Sequence, residues 1–325
     1  MPANLFEQQA SNRRRTWAVM ALFVAFLFLL GYGVDWFYLE TRYPVAGLAA
    51  LVFGSVSAIT GYRRGDRAVL ASSAAVPLDE IDTATASPED QFKLTQLGNI
   101  ADEMSLASGL PRPRLYIIPD PDPNAFAAGR GPGQSSIAVT RGLLDALNRD
   151  ELQGVVAHEM SHIRNYDVRL MTVVAALVGA VVLLSDFTTR IMRFGGGGRR
   201  SSRSKEGGGG GPLGLILFVV FVIGIILAPL VAQLLSMLVS RNREYLADAS
   251  AAEMTRNPVA LAEALAKIDA AAEPTRSIKR GTANLCIADP LARPIGRKEG
   301  RLANLFASHP PMEKRVEALR GMAYM

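Results

Sequence analysis

The sequence predicts a mainly α-helical chain with a small β-meander, an N-terminal transmembrane hairpin and a second hydrophobic hairpin further on. Three observations predict it. The 325 residues are 49% hydrophobic and only 20% charged, which is apolar for a soluble protein and excludes a disordered one. The apolar excess lies in long uncharged blocks bounded by arginines. Between the blocks apolar residues recur at helical spacing, with short β-like runs only from Arg114 to Thr140.

Charge and cysteine content narrow the function classes. Thirty-five Lys and Arg stand against 30 Asp and Glu, for a net +5. The arginines flank apolar runs and do not tile one face, so no nucleic-acid partner is expected. A single cysteine, Cys286, excludes an intramolecular disulfide and a cysteine-based zinc site.

Residues 1–15 read as a cytoplasmic tail ending in Arg13-Arg14-Arg15, and residues 16–62 as the transmembrane hairpin. Trp17–Val34 is uncharged and long enough to span a bilayer, and Asp35-Trp36-Phe37-Tyr38 follows as an interfacial belt. A cleaved signal peptide shares the basic and apolar regions, but no small-residue cleavage site follows, so an uncleaved anchor is expected. Tyr43–Tyr62 supplies the second span. Arginines before the first span, and Arg63, Arg64 and Arg67 after the second, place both ends of the hairpin in the cytoplasm.

Residues 63–169 form the first part of a folded cytoplasmic unit. Ser87-Pro88-Glu89-Asp90 opens a helix, with Ser as N-cap, Pro at the first helical position and acids in the first turn; Gly109 and Pro111 end it. Arg114–Pro119, Asn124–Gly129 and Ser136–Thr140 read as the meander, and Arg149–Asn165 as a helix. Residues 170–240 hold the second hydrophobic hairpin: Leu170–Ser185, a Gly/Arg/Ser-rich linker over 188–211, and Pro212–Ser240. Residues 241–325 complete the folded unit.

The chemistry concentrates in His158-Glu159-Met160-Ser161-His162. Positions i and i+4 of a helix share a face, so both imidazoles can reach one metal ion, with Glu159 beside them as general base. Zinc suits the set: it accepts neutral imidazole, keeps an open position and acidifies water toward a pKa of about 7. A third ligand is needed, and Glu244 and Asp248, again i and i+4, offer one carboxylate for the ion and one for a histidine ring N–H. An ordinary solvated face paired with Arg241 and Arg243 is the bland alternative for that carboxylate pair.

HEMSH, SRNREYLAD after a hydrophobic pair, the N-terminal hairpin, Asn124-Ala-Phe-Ala-Ala-Gly129 and the terminal SHPPMEKRVEAL together resemble the HtpX-type membrane zinc metalloproteases. These are glutamate-zincins, the group that includes the CAAX prenyl endopeptidases. The resemblance runs from Arg13 to Leu319 and implies a membrane-anchored zincin-like metalloprotease domain. It implies His158, His162 and Glu244 as ligands of one zinc ion per chain, Glu159 as general base and Asp248 as partner of a ligand histidine. Asn124, Ala125 and Phe126 would form an edge strand receiving substrate as an added β-strand. His309 would sit near the active centre, where its imaginable role is to stabilise an oxyanion; a helix cap or packing role is the alternative. Asp167 recurs in the family pattern, with helix-end or ligand-supporting hydrogen bonding as its only suggested part.

One ion held by His158 and Glu244 puts both halves of the folded unit on one membrane side, so residues 170–240 cross twice or not at all. The length of Pro212–Ser240 favours two crossings, although the linker charge from Asp186 to Glu206, net +4, opposes it.

The expected function is therefore a zinc metalloendopeptidase of the bacterial inner membrane, multi-pass, with its site at the cytoplasmic face. Its partners would be the lipid bilayer and polypeptide substrates, chiefly misfolded or damaged membrane proteins, in a stress-response role. An intramembrane zinc protease is the first rival, but charged residues bracket HEMSH here. A zincin aminopeptidase would need a motif for the free amine, and none is present. A non-catalytic scaffold would be expected to lose one of His158, Glu159, His162, Glu244 and Asp248, and a transporter to carry ionisable groups within its spans.

Overall fold

The computed structural model describes residues 5–37, 43–82, 87–195, 242–271, 275, 277–278, 282, 285–288 and 310–323. Helices α1 (Leu5–Phe37) and α2 (Val45–Ser72) pack antiparallel as the N-terminal hairpin. Buried Asp35 ties its ends together: its carboxylate accepts the N–H groups of Ala46 at 2.9 Å and Gly47 at 2.8 Å, which the first turn of α2 would otherwise leave unpaired. Helical segments Glu7–Gly33 and Val45–Ser72 are long and apolar enough to cross a membrane. Their outward faces stay apolar, with Leu22, Leu29 and Val52 each 63% exposed, which a core helix of a soluble protein would bury.

Residues 5–15, expected as a tail, are the opening turns of α1. They are ordered because Gln9 and Asn12 hydrogen-bond the chain near residue 165, a pairing that no local pattern announces. Helix α6 (Asp167–Gly195) contains the block Leu170–Ser185 and continues into the segment expected as linker. Its face Leu170, Val174 and Leu177 packs on Val19 and Phe23 of α1 and Ala58 of α2. The remainder of the linker and Pro212–Ser240 lie outside the described residues.

The sheet corrects the expected meander. Four strands, β1 (Val76–Pro77), β2 (Arg114–Ile118), β3 (Ala125–Gly131) and β4 (Gln134–Thr140), lie in the order β1-β2-β4-β3. β3 and β4 form an antiparallel hairpin, but β2 runs parallel to β4. The reason lies in the link Pro119–Pro123, which crosses the end of β4: the Asp120 carbonyl accepts the Gly142 N–H, and Asn124 exchanges hydrogen bonds with Thr140. β3 is thereby carried to the far edge.

Helix α3 (Pro88–Ser108) begins at the Ser87 cap, whose hydroxyl accepts the Asp90 N–H, and ends at Gly109 with φ +68°. After the short α4 (Arg141–Ala146), helix α5 (Arg149–Arg164) opens with a reciprocal capping box between Asn148 and Glu151. α7 (Asn242–Thr255), α8 (Pro258–Ala270) and α9 (Met312–Met322) close around it. Leu97 and Ile100 of α3, Val155 and Met160 of α5, and Leu261 and Leu265 of α8 interlock in one core. Burying each such side chain stabilises the fold by about 1.5–3 kcal/mol. Gly154 lets α5 and α8 approach: a Cβ there would lie 3.1 Å from the Leu261 Cα.

Candidate metal centre

Helix α5 presents His158 and His162 one turn apart, their rings 4.8 Å apart and nearly perpendicular. The two Nε2 atoms face each other at 3.2 Å. Glu244, in the first turn of α7, brings Oε2 to 3.6 Å from His158 Nε2 and Oε1 to 3.8 Å from His162 Nε2. One ligand atom from each of the three residues falls within 4.8 Å of the others. Two nitrogens and a carboxylate that converge in this way compose the open donor set of a mononuclear catalytic metal.

Carboxylates orient both rings from behind. His158 Nδ1 lies 3.0 Å from Asp248 Oδ1, and His162 Nδ1 lies 3.3 Å from Asp167 Oδ2. An ionised carboxylate only accepts, so one placed here favours the tautomer with its proton on Nδ1 and the Nε2 lone pair free for an ion. Asp248, one turn beyond Glu244 on α7, and Asp167, at the start of α6, are thus both behind a histidine.

Glu159 is buried beside the cluster, where its carboxylate meets the Ala127 backbone and no side chain hydrogen-bonds it among the described residues. Leaving such a group buried costs about 1–3 kcal/mol or more. Burial pushes its pKa up, against the pull of His158 and His162. An uncommitted, proton-hungry carboxylate at a donor set for a metal fits the part of a general base.

Two buried arginines complete the site: Arg243, which the sequence offers as a partner of the Glu244 and Asp248 pair on a solvated face, pairs with Glu244 in the interior, and no local pattern announces Arg315. Arg315 of α9 is fully buried and grips Asp248 with Nε at 2.8 Å and Nη2 at 2.7 Å. It donates as well to the Ile287 carbonyl at 3.2 Å, and its Nη1 lies 3.8 Å from Glu244. Arg243 Nε reaches Glu244 at 3.4 Å. Glu159, Glu244 and Asp248 are buried with these two guanidinium groups and Asp167 is buried behind His162, so acidic groups outnumber the arginines at the site. His158 registers that surplus: burial lowers its pKa, but Asp248 and Glu244 outweigh burial and raise it to about 9.

Asn124, Ala125 and Phe126 lie where β3 begins, on the sheet edge, and all three are buried. The edge is covered there: Phe126 pairs with Cys286 as an antiparallel bridge, and the Ile287 N–H donates to the Ala125 carbonyl at 2.9 Å. Asn124 Nδ2 donates to Thr275 Oγ1 and to the Ala288 carbonyl. Leu285, Cys286 and Ile287 line the same cavity as His158, Glu159 and Glu244. His309 lies outside the described residues.

A mostly helical unit holding this donor set on α5 and α7, outside the two apolar helices, is the fold and site of a peptidase with a His-Glu-His helix. The chain belongs to peptidase family M48, whose model matches residues 92–323. It is 40% identical over 319 residues to a protease HtpX homolog of Caldanaerobacter subterraneus subsp. tengcongensis, covering 98% of each chain. A protease HtpX homolog of Streptococcus gordonii is 40% identical over 98% of this chain and 100% of its own, and one of Streptococcus thermophilus 42% identical over the same shares. Among solved structures, S. mikatae Ste24p matches with a TM-score of 0.44 at 17% identity, over 96% of this chain and 66% of that one.

Proposed function

We propose that the chain is a membrane-bound, zinc-dependent endopeptidase that hydrolyses peptide bonds of misfolded or damaged membrane proteins. It would act at the cytoplasmic face of a bacterial inner membrane. The observation that carries the reading is the convergence of His158, His162 and Glu244 beside a buried Glu159 carboxylate that no side chain hydrogen-bonds among the described residues. The metal would be held by those three side chains and, when bound, would supply Lewis acidity toward the scissile carbonyl and toward water.

The chain's own residues do the rest. Glu159 takes a proton from the attacking water and passes it to the leaving amine, a step that a raised pKa assists. Asp248 and Asp167 keep the imidazoles in the tautomer that ligates, and Arg315 keeps Asp248 aimed. Burial keeps bulk water away, which strengthens each of these interactions. His309, just ahead of α9, is proposed to stabilise the oxyanion.

Substrate is proposed to lie along β3 as an added strand, in contact with Asn124, Ala125 and Phe126. The pairing of Phe126 with Cys286 implies that the Leu285–Ile287 stretch leaves this edge when substrate arrives. Two crossings by residues 170–240 are favoured because α6 packs on the spans themselves, through Leu170 and Leu177 against Val19 and Phe23.

The ligand assignment is tested by metal content. Full-length protein in detergent is expected to hold zinc, and His162→Ala and Glu244→Ala to lose most of it. Unchanged zinc in both variants would remove the basis of the proposal.

A further inference from the structure

The opening turns of α1 belong to the metal centre, though they lead into the first apolar span. Asn12 is 5% exposed and spends both amide protons on the far side of the chain: one donates to the Asn165 carbonyl at 2.9 Å, the other to Asp167 Oδ1 at 2.6 Å. Asp167 turns its second oxygen, Oδ2, to His162 Nδ1 at 3.3 Å. A continuous relay of hydrogen bonds therefore runs from Asn12 through Asp167 to a metal-facing imidazole.

The surroundings hold that relay in place. Gln9, one turn earlier on α1, donates to the Arg164 carbonyl at 2.8 Å. Together Gln9 and Asn12 satisfy carbonyls that the C-terminus of α5 leaves open. Tyr166, between α5 and α6, sits at φ +59°, a left-handed conformation that costs a tyrosine roughly 1–2 kcal/mol. Its ring lies between two guanidinium groups, Arg13 at 4.6 Å and Arg169 at 4.9 Å. A turn that strained persists only where its neighbours hold it, and one of those neighbours is again α1.

We infer that Asn12 is a positioning residue of the metal centre: by fixing Asp167 it sets the orientation and tautomer of His162, and so couples the membrane-anchored helix to metal binding. The inference rests on the reading of His158, His162 and Glu244 as ligands. Loss of a group supporting a ligand histidine typically weakens metal binding 10–100-fold, and Asn12 stands one bond further out.

The test is metal affinity of full-length protein in detergent, by competition of zinc with a chromophoric chelator and by the visible spectrum of the cobalt-substituted form. Asn12→Leu is expected to raise the zinc Kd on the order of tenfold and to shift the cobalt bands. Gln9→Leu removes a cap hydrogen bond from the same helix end without touching Asp167, and is expected to leave both unchanged. Should Asn12→Leu not fold, Asn12→Ala removes the donor without adding bulk or charge; the same rise in Kd is expected. Equal Kd values for wild type, the Asn12 variant and Gln9→Leu would overturn the inference, as would an equal loss in both variants. A wild type that binds neither zinc nor cobalt would instead overturn the ligand reading beneath it.

Discussion

Asp248 faces two ways, toward His158 Nδ1 at 3.0 Å and toward Arg315 at 2.7 Å, and both partners are fully buried. Breaking a buried pair by removing one member leaves the other charge without compensation, at a cost of about 3–5 kcal/mol. Arg315→Met should therefore lower the melting temperature markedly, and Arg315→Met with Asp248→Asn should recover part of the loss. Asp248→Asn alone should weaken zinc binding by about 10–100-fold, because the amide holds the His158 tautomer less firmly. The proton on His158 sets the pH dependence. Its pKa of about 9 in the metal-free site means that a metal must displace that proton throughout the neutral range. Apparent zinc affinity should rise by about tenfold per pH unit from pH 6 to 8 and level off above about 9, read by chelator competition. A pH-independent affinity over that range would contradict the charge surplus assigned to the site.

At the scale of elements, the edge of β3 is the feature to probe. The bond from the Ile287 N–H to the Ala125 carbonyl makes Phe126 and Cys286 a non-hydrogen-bonded antiparallel pair. Such pairs hold Cα atoms about 4.5 Å apart, within the span of a disulfide. Since Cys286 is the single cysteine, Phe126→Cys adds one partner for it. Oxidised by diamide, this variant should bind an unstructured peptide at least several-fold more weakly than after reduction, and adding Cys286→Ser should erase the difference. Equal binding in both redox states would mean that substrate does not need this edge. The crossing of α5 and α8 makes a second element-scale expectation. A Cβ at position 154 would meet the Leu261 backbone at 3.1–3.2 Å, so Gly154→Ala should destabilise by about 1–3 kcal/mol, measured by thermal unfolding.

For the whole molecule, two apolar helices with exposed apolar outer faces carry a helical and β unit whose candidate metal centre is linked to α1 through the Asn12–Asp167 hydrogen bond. If residues 170–240 cross twice, a cysteine placed at Ser204 in a Cys286→Ser background should react with a membrane-impermeant maleimide in intact cells; labelling only after lysis would indicate no crossing. Local patterns made much of this legible. The two apolar helices, the Ser87 cap, the α5 boundaries and the His158–His162 pair are signalled by composition, capping chemistry and i, i+4 spacing, whereas the choice of Glu244 over Asp248 as third ligand comes from the family resemblance. What escaped lies at long range or in short elements. Asn12 and Asp167 are 155 residues apart and Asp248 and Arg315 are 67 apart, so neither pairing leaves a local trace. β1 is two residues long and includes a proline, too short for any period, and the insertion of β4 beside β2 depends on where Pro119–Pro123 crosses, which strand spacing does not encode. The central claim is that a metal at His158, His162 and Glu244 works with Glu159 as base, and it is tested most directly by comparing full-length wild type with Glu159→Gln in detergent, scoring zinc content and cleavage of an unstructured protein on the same samples. The expected result is about one zinc per chain in both, with cleavage in the wild type alone and lost on chelation; equal cleavage by Glu159→Gln, or cleavage that survives chelation, would contradict it.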